Sequence, residues 1–273
     1  MKDDRPMESA HCCRIDLNLL GTWTMSRDGA EVTVAANRQR LIALLALAGP
    51  QKRAFVAGTL WANRSEPHAQ ANLRTTLSRL QTSGLYAVES VGDMLRLSPD
   101  VRVDVWELEH CAAAVVRAPL TETLGPETVL RLQRGGDLLA GWYDDWVAPY
   151  RERLRQLRLH ALEIAAAMLS RDGRYAEALE AALRSVDIEP LRESAHRAVT
   201  LVHLAEGNRC EAIRQYQRYR NLLFRELGIE PSDRMLRLVQ PYLANYGGPR
   251  PRVARNSGQR HADRSDAPRR RAG

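Results

Sequence analysis

The chain lacks the usual marks of both an enzyme and a membrane protein. Nowhere do its apolar residues run on for the roughly 18 positions that a membrane-crossing helix needs, and the opening MKDDRPMESAHCC is too polar for the apolar core of a secretory signal. A cytoplasmic location is therefore expected, with no membrane partner. None of G-x-x-x-x-G-K-[ST], G-x-S-x-G, H-E-x-x-H or G-x-G-x-x-G occurs. No enzymatic activity, catalytic residue, cofactor or bound metal is expected. His160, His196 and His203 fall in predicted helices without ligand spacing and read as packing or surface residues. Cys12, Cys13, Cys111 and Cys210 form no C-x-x-C pair, and the adjacent Cys12 and Cys13 have poor geometry for a mutual disulfide, so all four read as reduced. Asp144 and Asp145 in GWYDDWVAPY lack further ligands. They read as caps of the helix beginning near Pro149, with Trp142, Tyr143 and Trp146 as its anchors.

What is present is enough chain for two units. A length of 273 residues with 44% hydrophobic content exceeds the ~100–200 residues of a usual domain, so two packed domains with separate cores are expected. The net charge of +7 is unevenly distributed. Residues 15–105 hold ten basic and eight acidic groups and residues 106–246 hold nineteen and twenty, whereas 247–273 holds eight and two. The excess sits in GGPRPRVARNSGQRHADRSDAPRRRAG, whose composition is that of a disordered Arg-rich tail. Residues 1–14 are likewise expected to be disordered.

Residues 15–34 alternate apolar and polar side chains around turn signals at Gly21 and Asp28-Gly29, which predicts three short antiparallel strands. Leu41, Leu44, Leu45 and Ala48 at helical spacing, then FVAGTLWA, predict two helices, and 66–81 a third with Pro67 in its first turn. YAVES and MLRLS around Val91-Gly92-Asp93 predict a hairpin, followed by the short strand VRVDV. Beyond Trp106 only helices are expected, at about 106–117, 126–134, 149–171, 174–186, 191–206, 208–226 and 232–245. LSRDGRYAEAL (169–179) and HLAEGNRCEAI (203–213) align at an offset of thirty-four, which is the tetratricopeptide period.

On a wheel of ~100° per residue, Leu73, Leu77 and Leu80 of the third helix share one narrow stripe facing the core. The opposite face presents His68, Ala71, Thr75, Ser78, Arg79 and Thr82, flanked by Asn72, Arg74 and Thr76, and carries no acid. Small side chains, hydroxyls and arginines on one face suit a major groove, where arginine gives two hydrogen bonds to a guanine edge. A helix-turn-helix followed by a hairpin is the winged arrangement in which such a helix docks.

Several strings resemble the Streptomyces antibiotic regulatory protein family, in its short form without an ATPase part, over residues 14–246. In the first part these are LNLLGTWTMSRDG, NRQRLIALLALAG, Trp61 and ANLRTTLSRLQ. In the second, called the bacterial transcriptional activator domain, they are VDVWELE, GDLLAGWYDDWVAPYRERLRQLRLHALE and YRNLLFRELGIEPS. The resemblance implies an α+β N-terminal winged helix-turn-helix (15–105) followed by an all-α tetratricopeptide-like domain (106–246). It implies a transcription activator, nucleoid-associated, that binds direct repeats in double-stranded promoter DNA as a homodimer. It would recruit RNA polymerase holoenzyme through sigma-factor and core surfaces, and so control a secondary-metabolite gene cluster for antibiotic biosynthesis. The DNA-binding role falls on Asn72, Arg74, Thr75, Thr76 and Arg79, with Arg96 on the wing. Gln81 stands where the family carries arginine, and Met94-Leu95 where it carries Gly-Tyr; both departures predict weaker affinity. Two alternatives stay open: a protein-interaction scaffold, and a regulator sensing a small molecule near Trp142, Trp146 and Tyr175.

Overall fold

In the computed structural model the chain is described from residue 14 to residue 246. The tail expected at 247–273, and all but the last residue of the disordered start expected at 1–14, lie outside the described residues. Strand β1 (Ile15–Asn18) turns Ile15 and Leu17 inward and pairs antiparallel with β2 (Thr24–Arg27), which pairs with β3 (Ala30–Glu31). The β2–β3 turn places both Asp28 (φ 51°) and Gly29 (φ 82°) in the left-handed region, as a two-residue hairpin of matching twist requires. Helices α1 (Ala36–Ala48), α2 (Arg53–Leu60) and α3 (Glu66–Thr82) follow, with a two-residue strand β4 (Gln51–Lys52) between the first two. The hairpin β5 (Val88–Val91) and β6 (Met94–Leu97) takes β4 as a third strand, in the order β4-β6-β5. The segment after the hairpin, β7 (Val101–Val103), leaves it and closes the first sheet instead, parallel to β1 with Ile15 opposite Val101.

The rest is helical: α4 (Asp104–Arg117), α5 (Pro126–Gln133), a 3₁₀ turn Asp145–Val147, α6 (Ala148–Arg171), α7 (Tyr175–Ile188), α8 (Glu193–Glu206), α9 (Arg209–Leu227) and α10 (Asp233–Tyr246). The repeated glycines have one conformational cause. Gly173 (φ 75°) and Gly207 (φ 89°) both turn the chain from one helix into the next in the left-handed region, which a Cβ would strain. Ala178 and Ala212, five residues beyond each, are fully buried. Hairpins α6–α7 and α8–α9 stack through α7 against α8, and α10 covers α9 around Tyr216, Tyr219, Leu223, Met235 and Val239. His196 is a packing histidine: its ring bonds the Pro190 carbonyl and Gln215 (2.8 and 2.9 Å) and stacks on Tyr219 at 4.3 Å. No described helix is long and apolar enough to cross a membrane.

The boundary between cores does not fall where the sheet region meets the helices: the separate cluster is the one between α9 and α10. One contiguous set of buried side chains runs from Ile15 in the sheet to Val202 in α8. The joint is an irregular strap, residues 134–147, laid against the β1–β2 turn. Gly21 N–H donates to Asp137 (2.8 Å), Leu139 N–H to Leu19 (2.7 Å) and Ala140 N–H to Gly21 (2.9 Å). Gly135 lies in the left-handed region (φ 86°), and a Cβ on it would also stand 3.1 Å from the Leu20 side chain. Leu139, fully buried at φ 49°, sits where a branched side chain strains the backbone, at a cost of ~1–3 kcal/mol. Arginines of α6 hold it there: Arg151 donates to the carbonyls of Leu138, Leu139 and Trp142 at 3.0–3.2 Å. The Asp104 carboxylate accepts from the N–H groups of Leu19 and Leu20, both at 2.9 Å. Burial raises its pKa, opposed by these hydrogen bonds and that of Val105. Asp144 does not cap the helix at Pro149; its carboxylate pairs with Arg40 of α1, across the joint. Trp142 and Trp146 anchor the strap edge-to-face at 6.5 Å.

Candidate nucleic-acid interface

Helix α3 owes its seat to a stripe of Ala69, Leu73, Leu77 and Leu80, all buried. Pro67 fits the first turn because the N–H it lacks would have no partner there. The Ser65 hydroxyl, instead of capping, lies 2.7 Å from His68 Nδ1. The stripe leaves Asn72, Arg74, Thr75, Ser78, Arg79 and Thr82 exposed. No carboxylate among the described residues pairs with Arg74 or Arg79, so both guanidiniums are free to meet an anion.

Thr76 is the correction. It is only 6% exposed, and its hydroxyl donates to the Asn72 carbonyl at 2.8 Å. Standing three residues after Leu73, it lies only about 60° from it around the helix, at the edge of the apolar stripe and not on the open face. Its side chain is packed away from the open face that Asn72, Arg74, Thr75 and Arg79 share. Thr75, one position earlier, is exposed with its hydroxyl on the Ala71 carbonyl at 3.0 Å.

On the hairpin, Arg96 faces Glu89 directly across the β5–β6 register and donates to its carboxylate at 2.9 Å. This guanidinium is half-exposed and already partnered. Of the Met94-Leu95 departure, Leu95 is fully buried and supplies core, while Met94 is half-buried. Two cations that the sequence did not single out lie close by. Arg53, heading α2, ties the hairpin down by donating its side chain to Ser90 Oγ (2.9 Å) and its N–H to the Asp93 carbonyl (3.0 Å). Arg38 of α1 reaches the Arg79 carbonyl at 3.5 Å, beside the last turn of α3. Neither had a sequence signal, because both depend on contacts between distant segments. The three residues named for a sensing site do not converge: Trp146 lines a cleft with Phe55, Pro149 and Tyr150 that Tyr175 does not share.

A sheet, three helices and a hairpin carrying an acid-free basic helix face, fused to stacked helical hairpins, define the class of a bacterial regulator chain. The chain belongs to the bacterial transcriptional activator domain family, whose model matches residues 103–242, and is of the Streptomyces antibiotic regulatory protein type. It is 29% identical over 250 residues to the regulatory protein AfsR of Streptomyces coelicolor and 28% identical over 231 residues to that of Streptomyces griseus. These stretches take in 87% and 79% of this chain but 25% and 23% of the relatives, so the chain spans about a quarter of their length. A solved structure of Mycobacterium tuberculosis EmbR in complex with a low-affinity phosphopeptide shares the fold, with a TM-score of 0.65 at 21% identity over 85% of this chain and 66% of that one.

Proposed function

We propose that the protein is a sequence-specific DNA-binding transcription activator, with residues 15–105 acting as a winged helix-turn-helix and 106–246 as a tetratricopeptide-like platform for protein contacts. The observation that carries this reading is the open face of α3, where Asn72, Arg74, Thr75 and Arg79 are exposed and the two arginines have no carboxylate partner among the described residues. Each bidentate arginine–guanine contact supplies ~1–3 kcal/mol of base discrimination. Arg96 contributes a backbone contact only by leaving Glu89, which makes the wing the weaker element. The family supports the remainder: binding at promoter direct repeats as a homodimer, recruitment of RNA polymerase holoenzyme through sigma-factor and core surfaces, and control of a secondary-metabolite cluster from the nucleoid. The Arg-rich tail, 247–273, adds phosphate contacts that steepen salt dependence without reading bases.

The test is footprinting and mobility shift on DNA flanking the gene itself, against random duplex of equal length. Protected direct repeats with a clear preference over random DNA are expected. Equal affinity for both would sink the reading and leave the helical platform as a scaffold.

A further inference from the structure

A cavity of about 440 Å³ opens between the strap, α6 and α7. Arg158, on its wall, is 5% exposed and bonds only main-chain carbonyls among the described residues. Its donors go to the carbonyls of Leu132, Gln133 and Arg134 at 2.8, 2.9 and 2.5 Å, and to those of Gly135 and Gly136 at 3.3 and 3.5 Å. Burial, and then the nearby positive charge of Arg184, bring its pKa down to about 10 against the opposing charge of Asp137. Arg184, on α7, donates Nη2 to the Gly135 carbonyl at 2.9 Å, while its Nε is buried without a partner and its Nη1 bonds nothing among the described residues. Arg151 donates Nε and Nη2 to strap carbonyls and likewise keeps Nη1 idle. The acids on the wall answer these groups only in part, Asp137 acting on Arg158 through its charge. Glu152 is taken by Arg155 and Gln156, and Asp137 and Asp187 make no side-chain hydrogen bond to the three guanidiniums. Like charges held around a cavity with idle N–H groups are what an oxyanion relieves, and the planar guanidinium fork suits it.

We infer that this cavity binds a small phosphate-class oxyanion, held by the idle guanidinium edges of Arg151 and Arg184 in the field of the buried Arg158. Free inorganic phosphate and the phosphate ester of a small metabolite share that chemistry. The occupant would tie α6 and α7 to the strap whose amide groups hold the β1–β2 turn.

Calorimetric titration of the full chain with inorganic phosphate, and separately with glycerol 3-phosphate, tests this at constant ionic strength in chloride. Saturable one-to-one binding of at least one probe is expected. Equal affinity for both assigns the site to the free anion, and preference for the ester assigns it to a phosphorylated small molecule. Arg184→Gln should weaken binding at least about tenfold, the effect of losing a charge-assisted pair. Asp187→Asn, which removes an exposed acid from the wall, should tighten it, and Arg237→Gln on α10 should change nothing. Asp187→Asn keeps the test decisive even if Arg184→Gln fails to fold. No saturable binding of either probe, or affinity unmoved by the substitutions at the cavity, overturns the assignment.

Discussion

On α3 the guanidiniums of Arg74 and Arg79 reach solvent with no carboxylate paired to them among the described residues, whereas on the strap side of α6 Arg158 commits Nε and both Nη groups, and Arg151 its Nε and Nη2, to main-chain carbonyls. The same residue type serves opposite ends because the backbone around it differs. A regular helix satisfies its own carbonyls, so an arginine on its surface stays available to a ligand. The strap has no ladder of its own, and buried carbonyls without partners each cost ~1–3 kcal/mol, so arginine is recruited to fill them. Charge counted along the sequence cannot separate the two uses.

The largest effect that would sharpen this contrast comes from the strap. Arg158→Met leaves several buried carbonyls without donors and should cost at least ~3 kcal/mol of stability by denaturant unfolding. A loss under ~1 kcal/mol would mean the strap does not depend on this arginine. Next is the seat of α3, where Leu77→Ala should cost ~2–5 kcal/mol as a buried large-to-small change, with DNA binding lost through unfolding seen by circular dichroism.

A pH effect comes third and lies away from both regions. Burial lowers the pKa of His196 below its ordinary 6.5 despite the hydrogen bond to Pro190. The unfolded chain therefore takes up this proton before the folded chain does. Stability from His196 is complete above pH 6.5 and is lost as pH falls below it, with a slope of at most ~1.4 kcal/mol per pH unit. Unfolding of wild type and His196→Gln between pH 7.5 and 5 should diverge in slope; parallel curves would refute the buried neutral ring. The smallest effect separates neighbours on α3. Thr75→Val should weaken DNA binding by ~0.5–1.5 kcal/mol, while Thr76→Val leaves it unchanged. The reverse pattern would mean that the packing of α3 differs from that described.

Where the sequence was legible, the signal was local. The helix breaks at Gly173 and Gly207 announced themselves because left-handed turns need glycine, and the Leu73, Leu77 and Leu80 stripe set the phase of α3. Thr76 was misplaced because a threonine at a stripe edge looks polar on a wheel, although its hydroxyl is satisfied by its own helix. The Arg96–Glu89 pair had a visible signal, since a tight turn at Gly92-Asp93 sets those two opposite each other. Neither β4, at two residues, nor the pairing of β7 with β1 leaves a periodic trace. The strap was the least legible part. GGDLLAGWYDDW has no repeat, and its structure comes from Gly21, Leu19 and Arg40, all distant in sequence from the residues they hold, and from Arg151 on the helix that follows.

The contrast between free and committed arginine is tested most directly by measuring the operator-to-random affinity ratio and the melting temperature for Arg79→Ala and Arg151→Ala side by side. Arg79→Ala should lose ~1–3 kcal/mol of discrimination at unchanged melting temperature, and Arg151→Ala should melt lower while the ratio of its folded fraction stays at wild type. An intact ratio in Arg79→Ala, or a lost ratio in folded Arg151→Ala, would contradict the assignment of base reading to α3.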